Sequence, residues 1–214
     1  MNMAETVNHS SSRYAYRFLK RLFDILASTL AMLIASPVLL VIAVLVKLSS
    51  TGPVFYKHYR VGFKGKPMYI YKFRSMVKDA DKMIASFTPE QKAEFYRNFK
   101  LEDDPRITKV GSFLRRTSLD ELPQLLNIFK GEMSFVGPRP IVDEELERYG
   151  NDKEKFLSVK PGLTGYWACH GRSDTSYAER MGLELYYVDH ASLMLDIRIL
   201  LKTVLSVFKQ EGAK

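Results

Sequence analysis

The sequence predicts a mostly helical α+β protein that is monotopic in a membrane, with a re-entrant helix–break–helix, a small β-hairpin and interfacial amphipathic helices. Three observations lead to this prediction. An uncharged apolar run, Ile25–Val46, carries Ser36-Pro37 at its centre. Two segments rich in aromatic and β-branched residues flank a glycine-containing loop, and helix-capping pairs recur through the rest of the chain. The composition, with 46% hydrophobic and 12% aromatic residues, excludes a disordered polymer.

The apolar run has the length of a membrane segment, because its 22 residues contain no charge. Pro37 removes one helical hydrogen bond and disfavours the α conformation at Ser36, so the helix is expected to break or kink there. Each half would rise only about 18 or 15 Å, roughly half of a hydrocarbon core. Basic residues on both sides of the run favour two cytoplasmic ends. They are Arg13, Arg17, Lys20 and Arg21 before the run, and Lys47, Lys57, Arg60, Lys64 and Lys66 after it. A kinked full span, a buried soluble helix and a cleavable signal peptide are the alternatives.

The positive charge is concentrated in the first third of the chain. Residues 1–75 contain 11 Lys and Arg against 2 Asp and Glu, whereas residues 76–214 contain 21 against 22. Such asymmetry predicts a polyanionic partner, and the apolar run favours anionic membrane lipids with no nucleic acid. The alternative function is a membrane-tethered nucleic-acid-binding or scaffold protein, whose oligonucleotide binding would depend strongly on salt.

A β-hairpin is predicted from Val54–Val61 and Met68–Arg74. Lys72 and Arg74 close its second strand, where they are either solvated edge charges or groups that face an anionic substrate. Two helices follow in the prediction, Met76–Phe87 and one from Thr88 to Lys100. Thr88 and Gln91 form a capping box in the second of them. Asp79-Ala80-Asp81 has the form that many sugar-nucleotide glycosyltransferases use for a metal, but its neighbours Lys78 and Lys82 indicate a solvated face.

Asp120 and Glu121 form the candidate catalytic pair, in the first turn of a predicted helix that ends at Gly131. If Ser118 is the N-cap, it forms a capping box with Glu121. If Asp120 is the N-cap, Pro123 falls where no N–H partner is needed. The helix dipole favours ionised carboxylates in the first turn, so both are expected to be anions near neutral pH. Neighbouring helical side chains diverge, which favours one nucleophile and one metal ligand over an acid–base couple.

Arginines near the pair are candidate phosphate ligands. Arg115 and Arg116 directly precede it, and they form either a surface salt bridge worth under about 1 kcal/mol or bidentate forks to phosphate oxygens. Arg139 lies between two prolines, which lowers the entropy cost of holding its guanidinium in place. An aspartate that attacks a phosphoryl group splits the transfer into two displacements, and Mg²⁺ neutralises charge on the phosphates.

The remaining elements frame these residues. Met133–Val136 is predicted as a short buried strand and Asp143–Tyr149 as an acidic surface helix. Ser176 and Glu179 cap a helix that ends at Val188, and a further helix runs from Ser192 to Phe208. Apolar residues recur at helical spacing in the last helix, which makes it either core-facing or interfacial. The histidines and the single cysteine show no zinc-ligand spacing, so no structural metal is assigned.

Taken in order, these segments resemble the bacterial sugar transferase family, the monotopic phosphoglycosyl transferases, from Arg21 to Lys209. The resemblance depends on six motifs. They are Ser36-Pro37, Tyr71-Lys72-Phe73-Arg74-Ser75-Met76, Asp104-Pro105-Arg106-Ile107-Thr108, Arg115-Arg116-Thr117-Ser118-Leu119-Asp120-Glu121-Leu122-Pro123-Gln124, Gly137-Pro138-Arg139-Pro140 and Lys160-Pro161-Gly162-Leu163-Thr164-Gly165.

This resemblance implies transfer of a sugar-1-phosphate from a UDP-sugar to polyprenyl (undecaprenyl) phosphate, with release of UMP, at the start of surface-polysaccharide assembly. Asp120 would be the nucleophile that carries the phosphosugar, and Glu121 a ligand of Mg²⁺. The further substrate-binding residues that it implies are Lys72, Arg115, Arg139, Arg172, Glu184 and Asp196. The resemblance favours a hexose such as galactose or glucose, and it allows a homo-oligomer.

The expected organisation is a mobile polar tail at residues 1–12, a re-entrant membrane hairpin at 13–50 and a cytoplasmic catalytic domain at 51–214, in the cytoplasmic membrane of a bacterium. With no membrane helices before the core, the chain resembles the minimal form of the family. It departs from the family pattern at Ala168-Cys169-His170, where a glutamine is usual, so donor specificity stays open. Glu184 stands where the family commonly has Asp.

Overall fold

One long helix leads into a small hairpin and a series of short helices. The structure, a computed structural model, describes residues 3–98, 101–171 and 175–209, and for residues 3–12, 98 and 206–209 it describes the backbone alone. The predicted tail at 1–12 therefore lies outside the residues whose side chains are described. The helices are α1 (Met3–Ser49), α2 (Pro89–Asn98), α3 (Lys109–Arg116), α4 (Leu125–Lys130), α5 (Asp143–Glu147), α6 (Lys153–Phe156), α7 (Tyr177–His190) and α8 (Leu193–Lys209). The strands are β1 (Phe55–Val61), β2 (Pro67–Phe73), β3 (Ser134–Val136) and β4 (Gly162–Thr164).

The predicted break at Ser36-Pro37 is wrong as secondary structure, because α1 continues through both residues. A proline has no backbone N–H, so a helix that contains one lacks a single hydrogen bond at that position. The other backbone hydrogen bonds of the helix can still form. By length and composition, Arg13–Ser49 could cross a membrane.

The chain divides into two compact units. The first comprises Met1–Ile34, His58–Ile70 and Gln124–Gly212, and the second comprises Ala35–Lys57, Tyr71–Pro123 and Ala213–Lys214. The division within α1 thus falls two residues before Pro37.

In the first unit, α1 turns polar side chains towards the protein and apolar ones away from it. Asp24 and Ser28 are 2% and 0% exposed, and Asp24 Oδ1 accepts hydrogen bonds from Ser134 Oγ at 3.0 Å and Phe135 N at 3.1 Å. The large apolar side chains on its other faces are 44% to 70% exposed: Phe18, Leu22, Phe23, Leu26, Leu30, Leu33 and Ile34. This is the reverse of a helix that packs on a soluble protein, and it fits an apolar surrounding.

The second half of α1 packs on the second unit. Ile42 and Val46 are 4% and 0% exposed and form a core cluster with Phe73 and Leu114. Arg74 is predicted to be either a solvated edge charge or a substrate ligand, but in the structure it is buried and binds backbone carbonyls. Its buried guanidinium donates to the carbonyls of Val46, in the last turn of α1, and of Ser50 and Pro53, which follow the helix. A cation at this helix end is stabilising, because it satisfies carbonyls that lack intrahelical partners.

The predicted hairpin is confirmed, since β1 and β2 pair in a two-stranded sheet. The predicted helix Met76–Phe87 is wrong at its start: Met76 instead bridges to Ile107, and only Lys82–Ser86 form a 3₁₀ helix. The capping box before α2 is confirmed, with Thr88 N donating to Gln91 Oε1 at 3.0 Å and Gln91 N to Thr88 Oγ1 at 3.2 Å.

In the first unit, β3 and β4 pair in parallel, with Ser134 opposite Gly162 and Val136 opposite Thr164. Glycines allow the two backbones to lie this close together. A Cβ on Gly162 would lie 2.1 Å from Gly137 N, and one on Gly137 would lie 2.3 Å from Lys160 O. The backbone that carries Arg139 is therefore fixed by glycines on both strands.

The predicted capping box before α7 is also confirmed, with Ser176 and Glu179 bonding reciprocally. Asp143–Tyr149, predicted as a surface helix, corresponds to α5 but is not wholly at the surface. Glu145 is 9% exposed and Tyr149 is 3% exposed, because both bind groups on α7.

Candidate active site

Asp120 and Glu121 lie in the first turn of a 3₁₀ helix, Leu119–Gln124, which precedes α4. The first-turn position is confirmed, but neither predicted N-cap geometry fits the chain before it. Ser118 has a left-handed backbone, with φ of 57°, and its N–H bonds to Arg115 O at the end of α3. Ser118 thus ends α3 in the position that usually favours glycine. The chain therefore reverses at Ser118, and the 3₁₀ helix with the acidic pair begins directly after it.

Lys72 of β2 lies beside the pair. Its ammonium donates to Glu121 Oε1 at 2.6 Å, and the two side chains are 20% and 29% exposed. The structure therefore brings Lys72, Asp120 and Glu121 together within the second unit. The family resemblance implies a basic residue here, and substrate binding by Lys72 stays a prediction.

The pKa of Asp120 is raised rather than lowered. The carboxyl is only 6% exposed, and burial is the largest cause of the upward shift. Lys72 and Arg115 oppose it through their positive charge, whereas the negative charge of Glu121 adds to it. Desolvation thus outweighs the helix start at Asp120 and moves its pKa in the direction opposite to the one that the helix dipole favours, whereas ionisation of both carboxylates near neutral pH stays a prediction.

Arg115 extends from the last turn of α3, where it is exposed and its Nε donates to Ser75 Oγ at 2.8 Å. α3 can lie this close to Ser75 because residue 111 is glycine: a Cβ there would be 1.8 Å from Ser75 O. Sequence reasoning missed the orienting role of Ser75. Its only sequence signal is its position three residues after Lys72 in the same motif.

Arg139 belongs to the first unit, after β3. Its backbone N donates to Glu184 Oε1 at 3.2 Å, and its exposed guanidinium lies 5.9 Å from the ring centre of Trp167. The rigid placement predicted from the flanking prolines therefore has a further support, a carboxylate from α7.

Glu184 and Asp196, predicted to bind substrate, are buried and occupied by protein partners. Glu184 is 2% exposed and also accepts from Tyr149 OH at 2.6 Å and Arg180 Nε at 3.3 Å. Asp196 is 6% exposed and accepts from Tyr187 OH at 2.7 Å and Lys20 Nζ at 2.6 Å. These contacts favour positioning roles, and direct substrate contact stays a prediction. Arg172 lies outside the described residues.

The unusual segment Ala168-Cys169-His170 attaches to α8. Cys169 Sγ lies 3.2 Å from Thr203 Oγ1, and His170 Nε2 lies 2.8 Å from Lys202 Nζ. The ring of His170 also stacks on Tyr166 at 3.9 Å. Cys169 and His170 thus both contact α8, and the effect of this segment on the donor sugar stays open.

The donor set near the pair fits Mg²⁺ only in part. Among the residues that the structure describes, no group of three His, Cys, Asp or Glu side chains could hold a metal ion. Mg²⁺ commonly uses one or two carboxylates together with substrate phosphates and water. Glu121 at the surface of the site fits such a shared ion, with Asp120 adjacent.

Comparison with known proteins shows one family whose members the chain resembles over nearly its whole length. Residues 15–210 match the family described as bacterial sugar transferase. The exopolysaccharide production protein ExoY of Sinorhizobium fredii is 46% identical over 197 residues, which cover 91% of this chain and 87% of that protein.

Two longer relatives carry more specific names. The undecaprenyl-phosphate galactose phosphotransferase of Salmonella typhimurium is 46% identical over 97% of this chain, and the UDP-glucose:undecaprenyl-phosphate glucose-1-phosphate transferase of Escherichia coli is 43% identical over 92%. The chain spans only 44% and 42% of the length of these two proteins.

Proposed function

Because the chain belongs to the bacterial sugar transferase family, we propose that it transfers a sugar-1-phosphate from a UDP-sugar to polyprenyl phosphate and releases UMP. The observation that carries this proposal is the buried carboxylate of Asp120, set between Glu121 and the cations Lys72 and Arg115. The names of two relatives support a galactose or glucose donor. The test is UMP release from a panel of UDP-sugars, with and without undecaprenyl phosphate. One hexose donor should be preferred, and the absence of UMP from every donor would refute the proposal.

Asp120 acts as the nucleophile in two displacements. An Oδ of Asp120 attacks the phosphorus that carries the sugar, and the bond from that phosphorus to the bridging oxygen breaks as UMP leaves. A phosphate oxygen of the polyprenyl phosphate then attacks the same phosphorus and releases Asp120. The carboxylate must be ionised for the first step, and burial strips it of water, which strengthens its interaction with the substrate.

The cations of the second unit support the anionic nucleophile. Lys72 and Arg115 lower the pKa of Asp120 against the effect of burial. Arg115 presents a guanidinium that suits phosphate oxygens, and its Nε bond to Ser75 fixes its direction. Arg139 of the first unit is a proposed phosphate ligand, held by Glu184.

Glu121 would hold Mg²⁺ together with the diphosphate of the donor. When bound, the ion supplies positive charge that neutralises the phosphates. We expect a chelator to reduce UMP release to background and added Mg²⁺ to restore it. Full activity of a metal-stripped sample in excess chelator would remove Glu121 from this role.

A change at Lys72 should move the pH dependence of the reaction. Lys72 holds the pKa of Asp120 down, so Lys72→Met should raise that pKa and shift the acidic limb of kcat/KM to higher pH. UMP release measured across pH tests this. Lys82→Met is the matched control, because Lys82 is an 82% exposed lysine of the same unit that pairs with Asp79. An acidic limb that stays in place in Lys72→Met would contradict the electrostatic role.

We also propose that α1 is monotopic in the bacterial cytoplasmic membrane, with both ends of its apolar run on the cytoplasmic face. Support comes from the contacts of its two halves. Asp24 binds Ser134 in the first unit, and Val46 packs with Leu114 in the second, so each half keeps one face on a folded unit.

Cysteine labelling tests this topology. Cys169→Ser removes the single natural cysteine, and Tyr14→Cys or Thr51→Cys adds one at either end of the apolar run. Both added cysteines should resist a membrane-impermeant maleimide in intact spheroplasts and react after permeabilisation. Labelling of either one in intact spheroplasts would contradict the monotopic arrangement.

A further inference from the structure

Arg180 of α7 is the centre of a buried network in the first unit. Its Nε donates to Glu184 Oε1 at 3.3 Å, and its Nη1 donates to Glu145 Oε2 at 3.1 Å. The guanidinium lies 4.8 Å from the ring centre of Trp167 and 5.2 Å from that of Tyr177. One cation is therefore held by two carboxylates and lies against two aromatic rings.

The network reaches Arg139 through a single carboxylate oxygen. Glu184 Oε1 accepts from both Arg180 Nε and the backbone N of Arg139. Glu184 Oε2 is fixed by Tyr149 OH at 2.6 Å, so the carboxylate cannot rotate without losing bonds at both oxygens. A displaced Arg180 would move the acceptor that holds the Arg139 backbone.

A purely structural ion pair does not explain the network fully. Arg180 is 9% exposed, and its Nη2 has no hydrogen-bond partner among the described residues. Burying an unsatisfied donor is costly, and alternative side chains of this size would avoid the cost. A guanidinium can bind two carboxylates and still lie over the ring of Trp167, which a lysine ammonium cannot do with the same geometry.

We propose that Arg180 is a positioning residue, which sets Arg139 through Glu184 and sets Trp167 by direct contact for binding of the UDP-sugar. This inference rests on the proposed function. Arg180 does not touch the reacting atoms; through Glu184 it holds the backbone from which the exposed guanidinium of Arg139 extends. Misplacement of such a group raises KM and lowers kcat/KM without removing the nucleophile.

The test is a double-mutant cycle on kcat/KM for the UDP-hexose. Arg180→Lys alone should lower kcat/KM about tenfold or more, as should Arg139→Ala alone. The double variant should lose clearly less than the product of the two single losses, because Arg180 acts in part through Arg139 and only its effect on Trp167 is left to lose. Fully additive losses in the double variant would overturn the proposal.

Arg106→Lys is the matched control for lost stability. Arg106 is also buried and also binds a carboxylate, with bonds of 2.8 and 2.7 Å to Asp104. Its guanidinium likewise lies near two aromatic rings, 5.0 Å from the centre of Phe87 and 5.2 Å from that of Phe95. Arg106→Lys should lower the melting temperature as Arg180→Lys does. Its effect on kcat/KM should simply add to that of Arg139→Ala.

Trp167 gives a spectroscopic readout, since it is the only tryptophan of the chain. Its emission should shift in Arg180→Lys and stay unchanged in Arg106→Lys. If Arg180→Lys fails to fold, Glu145→Gln replaces it in the cycle, because this change removes only the outer ion pair. An unaltered Trp167 emission and an additive loss in Glu145→Gln would overturn the inference. The failures are distinguishable: if the proposed function fails, the wild type releases no UMP at all.

Discussion

Asp120→Asn is expected to abolish turnover, with a loss of about 10³-fold or more in UMP release, because an amide oxygen is a poor nucleophile towards phosphorus. The change keeps the size and shape of the buried side chain. Since burial raises the pKa of Asp120, the ionised form is the one that the fold disfavours at neutral pH. The melting temperature of Asp120→Asn should therefore equal or exceed that of the wild type, so lost activity cannot be ascribed to unfolding.

Glu121→Gln is the matched control for this prediction. It sits one residue away in the same 3₁₀ helix and loses one charge, but it leaves the nucleophile in place. Its activity should fall less, and raised Mg²⁺ should restore part of it, whereas no Mg²⁺ concentration should restore Asp120→Asn. Wild-type turnover in Asp120→Asn, or its recovery with Mg²⁺, would refute the covalent role.

Gly162→Ala is expected to cost about 3 kcal/mol or more of folding stability, because the new methyl would meet backbone atoms that cannot move aside. The nearest would be Gly137 N at 2.1 Å, directly after β3, and Thr164 O at 2.4 Å, in β4 itself. For a chain of this size, that corresponds to a melting temperature lower by about 6–12 °C. Thermal unfolding followed by circular dichroism measures it.

Gly182→Ala is the control, since an added Cβ there meets nothing within 4 Å and the residue lies inside α7. Replacing a helical glycine by alanine should stabilise the protein by roughly 0.5–1 kcal/mol. Equal melting temperatures for the two variants would contradict the close approach of the Gly137 and Gly162 backbones beside the β3–β4 pair.

Local chemistry in the sequence predicted the elements whose signals lie within a few residues of each other. The capping boxes at Thr88 and Ser176 formed as predicted, because both partners lie on one turn of chain. Gly131 ends α4 with φ of 85°, a conformation that glycine adopts without strain. The hairpin followed from its aromatic and β-branched segments for the same reason.

Features that depend on distant residues could not be read from the sequence. The burial that raises the pKa of Asp120 comes from the packing of the second unit, whereas the sequence offered only the helix dipole. No signal near Arg180 in the sequence indicates a role for it, because its partners Glu145 and Trp167 lie on other elements. Pro37 predicted a break that α1 does not show, and the turns that follow it pack in a core cluster through Ile42 and Val46, which the local sequence could not indicate.

The most direct measurement is the intact mass of the protein after it is mixed with the UDP-hexose alone, without polyprenyl phosphate. The account predicts an adduct of one hexose phosphate per chain, located on the peptide that contains Asp120, together with one equivalent of UMP. Addition of polyprenyl phosphate should then remove the adduct. Full turnover with acceptor present, but neither adduct nor UMP without it, would contradict the covalent mechanism.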